Sequence, residues 1–412
     1  MAERVDTLVI GGGQAGVAAS AHLQQQGVSH LVLERARIAE RWRTGRWDSL
    51  VANGPAWHDR FPVKTFDHLH PDAFAGKEDI AAYFQELAEE RALPIRCGVA
   101  VSRLTARDGG GFIAETADGV VEADHVISAT GPFQKPLIPT VVPDSAGITQ
   151  MHSADYRNPG QLPAGAVLVV GAGSSGSQIA DEIHRSGRKV FLSVGPHDRP
   201  PRAYRGKDFV WWLGQLGHWD AKAKTPGTEH ITIAVSGANG GETVDFRRLA
   251  ARGMILLGRI GAFAGGVLSV GSDLADNIRN GDRNYLSVLD QADAHAARMR
   301  IDLPPEPSAR DIGPDADCMT HPILSLDLAA EGVTSIIWAT GYGLDYGWLQ
   351  VPGALDAAGK PVHDKGVSPV PGLYFLGLSW MTRRASPFIW GVWHDAAAIA
   401  AHIAGEGRVA AE

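Results

Sequence analysis

The chain has 412 residues, of which 44% are hydrophobic and 20% are charged, a composition typical of a globular protein with two or three domains. Its formal net charge of −8 argues against nucleic acid as a partner, because binding phosphates requires a basic surface. The two cysteines, Cys97 and Cys318, form no CxxC redox pair, and their scarcity favours a reducing, cytoplasmic location. We expect no signal peptide, no membrane span and no metal site, since no segment has the required pattern.

A buried strand over residues 5–10 leads through a glycine turn into a helix over residues 14–26. The turn has the GxGxxG spacing of a dinucleotide-binding fold, whose glycines make a tight turn, admit a pyrophosphate and let the helix pack on the strand. The helix N-terminus would face the pyrophosphate with free N–H groups. Glu34 ends the next strand, over residues 30–34, where a carboxylate can bind a ribose hydroxyl. The predicted contacts to this dinucleotide are Gly11, Gly13, Gln14, Ala15, Gly16 and Glu34.

The alternation of short apolar strands and helices then continues along the chain. An amphipathic helix is predicted over residues 78–92, with strands near 96–101, 112–116 and 125–129 and a proline-rich linker over 132–143. A second strand–helix–strand unit is predicted, with strands over 166–170 and 188–193 around a helix over 175–186.

This second unit carries a second GxGxxG turn, Gly-Ala-Gly-Ser-Ser-Gly, which begins at Gly171. Ser193 ends its last strand, where the first unit has an acid, and basic residues follow closely. An acid would repel a 2′-phosphate whereas serine and arginine would accept it, so the pattern favours NADPH over NADH; the alternative is that these arginines form a solvated loop. The predicted contacts to the second dinucleotide are Gly171, Gly173, Ser174, Ser175, Gly176, Ser193, Arg199 and Arg202.

The remaining part of the chain is less regular. A Trp-rich, helix-like stretch over residues 209–217 is expected to serve packing, with a cover over the substrate as the alternative. Strands are predicted near 254–260, 334–339 and 373–376. The last helix is predicted over 387–403, with Ser386 as its cap and Pro387 in its first turn.

Two units with a glycine turn in one chain imply two dinucleotides, or one dinucleotide and one decayed site. Two dinucleotides are most simply used to pass a hydride from a nicotinamide to a flavin. The sequence therefore predicts an α/β fold with two Rossmann-like dinucleotide-binding domains, the second inserted in the first. The first domain is predicted over residues 1–160 and 331–412. The second is predicted over residues 161–330, with a Trp-rich insert at about 205–300.

Further motifs link the chain to a known family. The segment over residues 147–157 resembles the fingerprint FxGxxxHxxx(F/W/Y) at His152 and Tyr156, although no Phe precedes its glycine and the glycine-to-histidine gap is one residue longer. Residues 129–131 and 339–341 both read Ala-Thr-Gly, and residues 40–43 resemble a GxW segment with Glu40 in place of glycine. Together with the two glycine turns, these segments resemble the class B flavin-dependent monooxygenases, which include flavin-containing, YUCCA-type and Baeyer–Villiger monooxygenases.

The resemblance implies FAD at the first glycine turn and NADPH at the second. It places further cofactor contacts at Arg41, Trp42, Thr130, Gly131, Thr340 and Gly341. Asn53 is the candidate catalytic donor beside the flavin, and a plain turn is the alternative for its segment. His152 is the second candidate, expected to support cofactor geometry, and an ordinary linker histidine is its alternative. Arg383 or Arg384, near the flavin in such enzymes, could meet an anionic substrate or lie in a solvated loop.

The implied reaction is that NADPH reduces FAD, the flavin forms a peroxyflavin with O2, and a small organic substrate is oxygenated, at nitrogen or sulfur in our first hypothesis. Baeyer–Villiger oxygenation of a carbonyl is one alternative, and electron transfer to another acceptor without oxygenation is a second. A non-enzymatic nucleotide-binding protein is a third. The expected partners are a small-molecule substrate and O2, and a homodimer is compatible with the sequence.

Overall fold

A computed structural model describes the chain over residues 2–222 and 232–411, with side chains described up to residue 405. The fold is α/β and contains two Rossmann-like domains, each built on a largely parallel sheet that carries one of the glycine turns. The strands of the second sheet lie between residues 149 and 338, so this domain is inserted in the chain that forms the first. The predicted fold class is confirmed.

The elements follow in chain order. The first part of the chain forms β1 (Glu3–Ile10), α1 (Gln14–Gln25), β2 (His30–Glu34), α2 (Glu40–Thr44), α3 (Lys77–Glu90), β3 (Ile95–Cys97), β4 (Val101–Ala106), β5 (Phe112–Thr116), β6 (Gly119–Ser128), β7 (Lys135–Pro136) and β8 (Thr149–His152). The middle part forms β9 (Ala166–Val170), α4 (Ser174–Arg185), β10 (Val190–Ser193), β11 (Ala203–Tyr204), β12 (Lys207–Asp208), α5 (Phe209–Gln215), α6 (Phe246–Ala251), β13 (Ile255–Leu257), β14 (Ile260–Ala264), β15 (Val267–Val270), α7 (Leu274–Met299), α8 (Asp317–Thr320), β16 (Ser325–Asp327) and β17 (Val333–Trp338). The last part forms β18 (Tyr342–Gly343), β19 (Leu373–Phe375) and α9 (Ile389–Ala411).

The first sheet has the parallel order β3-β2-β1-β6, and two different strands share the other edge of β6. The antiparallel β5 pairs with the start of β6, and the parallel β19 pairs with its end. This double use explains why β6 begins at Gly119, six residues before the predicted start at 125: its first half belongs to the β4-β5-β6 antiparallel layer.

The second sheet has the order β13-β10-β9-β17-β8, and all of its pairs are parallel. Apolar side chains of α4, α6 and α7 cover one face of it. The antiparallel β14-β15-β16 layer covers the other face. Since the central strands β9 and β10 are buried on both faces, they consist almost entirely of apolar residues, as β9 shows with Ala-Val-Leu-Val-Val.

The last helix differs from its prediction. α9 begins at Ile389, so Ser386 does not cap it and Pro387 precedes it. The Ser386 hydroxyl oxygen instead accepts the backbone N–H groups of Thr382 and Arg383, at 3.1 and 3.2 Å. The predicted strand over 254–260 is also wrong, because Gly258 and Arg259 separate β13 from β14 and the two strands join different sheets. Within the described residues, no helix combines the length and the apolar character that crossing a membrane requires.

Candidate active site between two glycine turns

The first glycine turn connects β1 to α1 and has one open face. Gly11 has a φ of +109°, and a Cβ on it would lie 2.8 Å from the carbonyl oxygen of Ala129. A Cβ on Gly16 would lie 1.8 Å from the Gly11 oxygen, which only a glycine permits. A Cβ on Gly13 would meet no heavy atom within 4 Å. The fold therefore requires Gly11 and Gly16, whereas Gly13 leaves space for a pyrophosphate to approach the backbone.

Glu34 at the end of β2 lies beside this turn. Its Oε2 accepts the Gly12 N–H at 2.6 Å and its Oε1 accepts the Ala36 N–H at 2.9 Å. The side chain is thereby fixed as a hydrogen-bond acceptor next to the turn. This arrangement fits the predicted contact with a ribose hydroxyl.

Gln14 at the start of α1 connects three parts of the first domain. Its Nε2 donates to the Pro387 carbonyl oxygen at 2.7 Å, and its Oε1 accepts from Trp42 Nε1 at 3.3 Å. Arg41, next to Trp42 on α2, donates from Nη2 to the Phe133 carbonyl oxygen at 2.8 Å. These contacts assemble α2 and the loop before α9 around the first glycine turn. Ala15 is buried in the same place, 2.8 Å from where a Cβ on Gly377 would lie.

The second glycine turn repeats the geometry of the first. Gly171 has a φ of +103°, and a Cβ on it would lie 2.5 Å from the Ala339 carbonyl oxygen. A Cβ on Gly176 would lie 1.7 Å from the Gly171 oxygen. A Cβ on Gly173 would come within 3.2 Å of Thr232 Cγ2. The half-buried side chains of Ser174 and Ser175 follow in the first turn of α4. Both turns thus fit a dinucleotide pyrophosphate at a helix N-terminus.

The two Ala-Thr-Gly motifs occupy equivalent positions against the two turns. Ala129 donates its N–H to the Ile10 oxygen at 2.9 Å, and Ala339 donates to the Val170 oxygen at 2.8 Å. Gly131 and Gly341 then turn the chain with φ values of +71° and +82°. The hydroxyl of Thr130 accepts from Gln134, and the hydroxyl of Thr340 donates to the Leu137 oxygen. The first motif therefore follows β6 and packs against the first glycine turn, and the second follows β17 and packs against the second.

His152 links the fingerprint segment to the second of these motifs. Its Nε2 lies 2.9 Å from the Gly341 carbonyl oxygen and its Nδ1 accepts the Ala154 N–H at 3.1 Å, so the proton sits on Nε2. The side chain is fully buried, and burial lowers its pKa. The hydrogen bond from Nε2 connects His152 to the loop that begins at Gly341.

Tyr156, the aromatic residue of the fingerprint, connects the two domains. Its hydroxyl donates to Glu182 Oε2 on α4 at 2.7 Å, and Ser49 Oγ donates to the other carboxylate oxygen at 2.7 Å. Burial raises the pKa of Tyr156, which keeps the hydroxyl protonated as a donor. Arg157, the next residue of the fingerprint segment, makes a second contact with the first domain: its carbonyl oxygen accepts the Asp48 N–H at 2.8 Å.

Asn53 lies in the first domain at its contact with α4. Its Oδ1 accepts from Gln178 Nε2 at 3.0 Å, and its backbone oxygen accepts from Arg202 Nη1 at 2.5 Å. The residue is half-buried. Two residues of the second domain therefore fix both the backbone and the side chain of Asn53.

The predicted 2′-phosphate contacts are engaged within the protein. Ser193 is buried and donates to the Gly258 oxygen at 2.9 Å. Arg199 donates to Asp282 Oδ1 at 2.8 Å, with both side chains at most 5% exposed. Arg202 forms an ion pair with Asp208. The sequence predicted correctly that these groups lie near the end of β10. Both arginines are, however, paired with carboxylates, Arg202 with the nearby Asp208 and Arg199 with the distant Asp282.

An aromatic cluster fills the space between the two domains. It contains Phe209, Val210, Leu213, Trp219, Val235 and Ala385, with Trp57, Ile233 and Trp390 packed against it. The tryptophans in and just after the Trp-rich stretch pack in two different places. Trp219 belongs to this cluster, whereas Trp212 is fully buried against α7 and donates to the Tyr204 oxygen at 2.9 Å. The two loop arginines border the cluster, with Arg383 bound to Asp220 at 2.8 Å. Burial lowers the pKa of Arg384 and raises that of its neighbour Asp198.

Several residues at this site were not identified from the sequence. Gln178, Asp59 and Trp390 are the main ones, since they contact Asn53, His58 and Trp219. Gln178 could have been found because it lies one helical turn after Ser174, at the start of the helix that follows the second glycine turn.

Two glycine turns, each at the start of a helix and each packed against an Ala-Thr-Gly motif, fit two bound nucleotides, and the fold is that of a two-nucleotide oxidoreductase. Residues 8–201 match the family of pyridine nucleotide-disulphide oxidoreductases. An uncharacterized oxidoreductase CzcO-like of Geobacillus kaustophilus is 34% identical over 95% of this chain and 96% of its own. Indole-3-pyruvate monooxygenase YUCCA1 of Oryza sativa is 30% identical over 45% of this chain and 47% of its own.

A solved structure gives the same result for the fold. A mutant flavin monooxygenase from Stenotrophomonas maltophilia superposes with a TM-score of 0.67 at 19% identity, over 98% of this chain and 99% of its own. The chain belongs to the family of CzcO-like oxidoreductases. It is an oxidoreductase whose fold and two glycine turns fit a flavin and a nicotinamide nucleotide.

Proposed function

We propose that the protein is an NADPH-dependent monooxygenase that holds FAD at the first glycine turn and NADPH at the second. Its substrate is a small organic molecule that is oxygenated at nitrogen or sulfur with O2. The observation that carries this proposal is that both glycine turns are bonded to segments of one aromatic cluster.

The bonds to the cluster start from equivalent helix positions. Gln14 at the start of α1 donates to Pro387, which lies between two members of the cluster, Ala385 and Trp390. Ser174 at the start of α4 donates to the oxygen of Ile233, a third member, at 2.8 Å. The cluster is therefore the meeting point of the two nucleotide sites.

The protein's part in the chemistry is positioning and exclusion of water. When bound, FAD would accept a hydride from NADPH and supply the activated oxygen. Gly13 and Gly173 let the pyrophosphates approach the backbone, and Glu34 orients a ribose. The apolar cluster keeps water from the reacting groups. The amide of Asn53, held by Gln178, supplies a hydrogen-bond donor where the first domain contacts α4.

The choice of NADPH rests on the end of β10. Residues 193–196 contain no acidic side chain that would repel a 2′-phosphate, in contrast to Glu34 at the end of β2. Arg199 and Arg202 carry no weight in this choice because carboxylates already pair with them. We also propose a cytoplasmic location, on the basis of the two free cysteines.

The test is product analysis under isotopically labelled O2. Purified protein loaded with FAD is supplied with NADPH and, separately, a thioether, a tertiary amine and a ketone. A sulfoxide or N-oxide that carries one labelled oxygen is the expected result. Ester formation from the ketone alone would assign the protein to Baeyer–Villiger oxygenation. Rapid reduction of a quinone without a labelled product would assign it to electron transfer.

A further inference from the structure

A box of aromatic rings surrounds His58 at the centre of the cluster. The His58 ring stacks on Trp219 with centroids 5.2 Å apart. It meets Trp57 and Trp390 edge to face, at 5.5 and 5.7 Å. Phe388 continues the wall from Trp219, at 5.2 Å. These five residues, which we call the tryptophan box, come from the turn after Asn53, from the chain after α5 and from the start of α9.

Asp59 fixes the orientation and the proton of His58. One carboxylate oxygen lies 2.7 Å from His58 Nδ1, and the other accepts the Gly54 N–H at 2.9 Å. Because a carboxylate only accepts, a proton lies on Nδ1, and in this tautomer of the neutral ring Nε2 presents a lone pair. The His58 side chain is only 9% exposed, so this lone pair lies inside the box.

The tryptophan box contains two buried polar atoms that no described residue satisfies. His58 Nε2 is an acceptor and Trp390 Nε1 is a donor, and neither has a hydrogen-bond partner in the described part of the chain. Leaving such a group unpaired costs on the order of 1–3 kcal/mol. By contrast, Trp219 Nε1 donates to the Val210 oxygen at 3.2 Å. The two unsatisfied atoms lie on adjoining rings, whose centroids are 5.7 Å apart.

The position of the box relates these atoms to the reaction. Asp59 holds Gly54, the residue after the candidate donor Asn53. Trp390 lies three residues after Pro387, which is bonded to the first glycine turn through Gln14. Phe388 is 39% exposed, so the box reaches the protein surface at one side. A ligand in the box would therefore lie between solvent and the flavin site.

We infer that the tryptophan box is the substrate site and that it selects a planar aromatic substrate with a hydroxyl group. The aromatic faces would hold the ring of the substrate. Its hydroxyl would donate to His58 Nε2 and accept from Trp390 Nε1, and this single group would satisfy both buried atoms. The inference rests on the proposed monooxygenase function and names the substrate class of that same site.

The test compares two thioethers that differ in one hydrogen-bond donor, para-(methylthio)phenol and para-(methylthio)anisole. Both carry the same oxidisable sulfur. The native enzyme loaded with FAD should show a kcat/KM about tenfold or more higher for the phenol, chiefly through KM, because a site built to bind a hydroxyl rejects the analogue that lacks the donor. His58→Phe, which keeps a ring but removes the acceptor, should bring this ratio close to one. Trp390→Phe should weaken binding of both compounds.

The control is the same substitution at an exposed histidine–aspartate pair. His68 Nε2 lies 3.0 Å from Asp79 Oδ1 with 59% of its side chain exposed, so His68→Phe should keep the native ratio. An unchanged ratio in His58→Phe overturns the inference. Loss of bound FAD from His58→Phe also overturns it, because the box would then hold the flavin rather than the substrate.

A binding measurement separates this inference from the proposed function. Titration of the FAD-loaded native protein with each compound, followed by tryptophan fluorescence, reports occupancy of the box without turnover. If neither thioether is oxygenated but the phenol still binds more tightly than its methyl ether, and only when His58 is present, the site holds and the monooxygenase proposal fails. If both compounds are oxygenated at equal kcat/KM, the proposal holds and the inference fails.

Discussion

Gln178 Nε2 donates to Asn53 Oδ1 at 3.0 Å and to the Val235 carbonyl oxygen at 2.9 Å, across the contact between the two domains. A backbone carbonyl can only accept, so Gln178 must present its amide nitrogen at this point. Its second N–H then requires an acceptor, which is the side-chain oxygen of Asn53. The NH2 group of Asn53 is consequently turned away from α4 and remains available as a donor.

This relationship predicts that Gln178 controls how well reduction is coupled to oxygenation. Asn53→Ala removes the donor and should lower the rate of product formation about 100-fold, as expected for one group that stabilises developing charge. Gln178→Leu leaves the donor in place but free to rotate, and should lower product per NADPH about tenfold, with the difference appearing as hydrogen peroxide. Both quantities are measured in the same reaction.

The matched control for Gln178 is Asp181→Asn, on the same helix and bonded to Arg185 rather than to Asn53. It should keep the native ratio of product to peroxide. A Gln178→Leu enzyme with native coupling would show that the amide of Asn53 needs no such support.

A pair of glycine substitutions in the first turn separates cofactor binding from folding. Gly13→Ala adds a methyl group where no protein atom lies within 4 Å, so the protein should fold with a native Tm while its Kd for FAD rises about tenfold. Gly16→Ala places the methyl carbon 1.8 Å from a backbone oxygen and should destabilise the fold by about 3 kcal/mol. Thermal unfolding and flavin content of the two proteins, measured together, check this. Equal Tm losses for both would contradict the assignment of Gly13.

The burial of Arg199 predicts a structural rather than a coenzyme-reading role. Its ion pair with Asp282 is almost fully buried, so Arg199→Gln leaves that carboxylate with one cation fewer and should lower the free energy of unfolding by about 3 kcal/mol. The ratio of kcat/KM for NADPH to that for NADH should stay at its native value. A collapse of this ratio at unchanged stability would show instead that Arg199 contacts the 2′-phosphate.

The pKa of His22 predicts acid sensitivity of the contact between α1 and α9. Burial beside Trp393 lowers this pKa from 6.5 to about 4, with ring centroids 4.1 Å apart. As the pH falls from 6.5 toward 4, the unfolded chain takes up the proton and the folded protein resists it, so the free energy of unfolding decreases in this window. Above pH 6.5 the residue is neutral in both states and contributes nothing to the pH dependence.

Thermal unfolding as a function of pH measures this effect. His22→Gln should lose less stability than the native protein over the same window, while His70→Gln, at a side chain that is 76% exposed, should follow the native curve. Parallel curves for the native protein and His22→Gln would mean that α9 does not shield His22.

The sequence predicted the parts of the fold that have a local cause. Both glycine turns follow a short apolar strand and precede a helix, and their tight contacts arise within a few residues, as between Gly11 and Gly16. By contrast, α7 was not predicted, although its buried residues Ile278, Gly281, Leu289, Ala292 and Ala296 have helical spacing. Its many charged residues and three internal asparagines obscure that stripe in the sequence.

The candidate site was only partly predictable because its contacts join distant segments. Asn53 was identified from its own segment, but its partner Gln178 lies 125 positions away. The ion pair of Arg199 with Asp282 spans 83 positions, which explains why a basic stretch in the sequence became a buried network. The tryptophan box has the same origin, since Trp57, Trp219 and Trp390 come from three segments that only the packed domains bring together.

The central claim is that the first site holds a flavin, which the nicotinamide nucleotide in the second site reduces. Anaerobic mixing of the FAD-loaded protein with NADPH tests this claim most directly. The oxidised flavin absorbance band should disappear in a fast phase that saturates with NADPH. Gly173→Ala, whose methyl group comes within 3.2 Å of Thr232 on the face predicted for the second nucleotide, should need about tenfold more NADPH while keeping its FAD. Flavin that stays oxidised in the native protein, or that is lost from Gly173→Ala, would contradict the account.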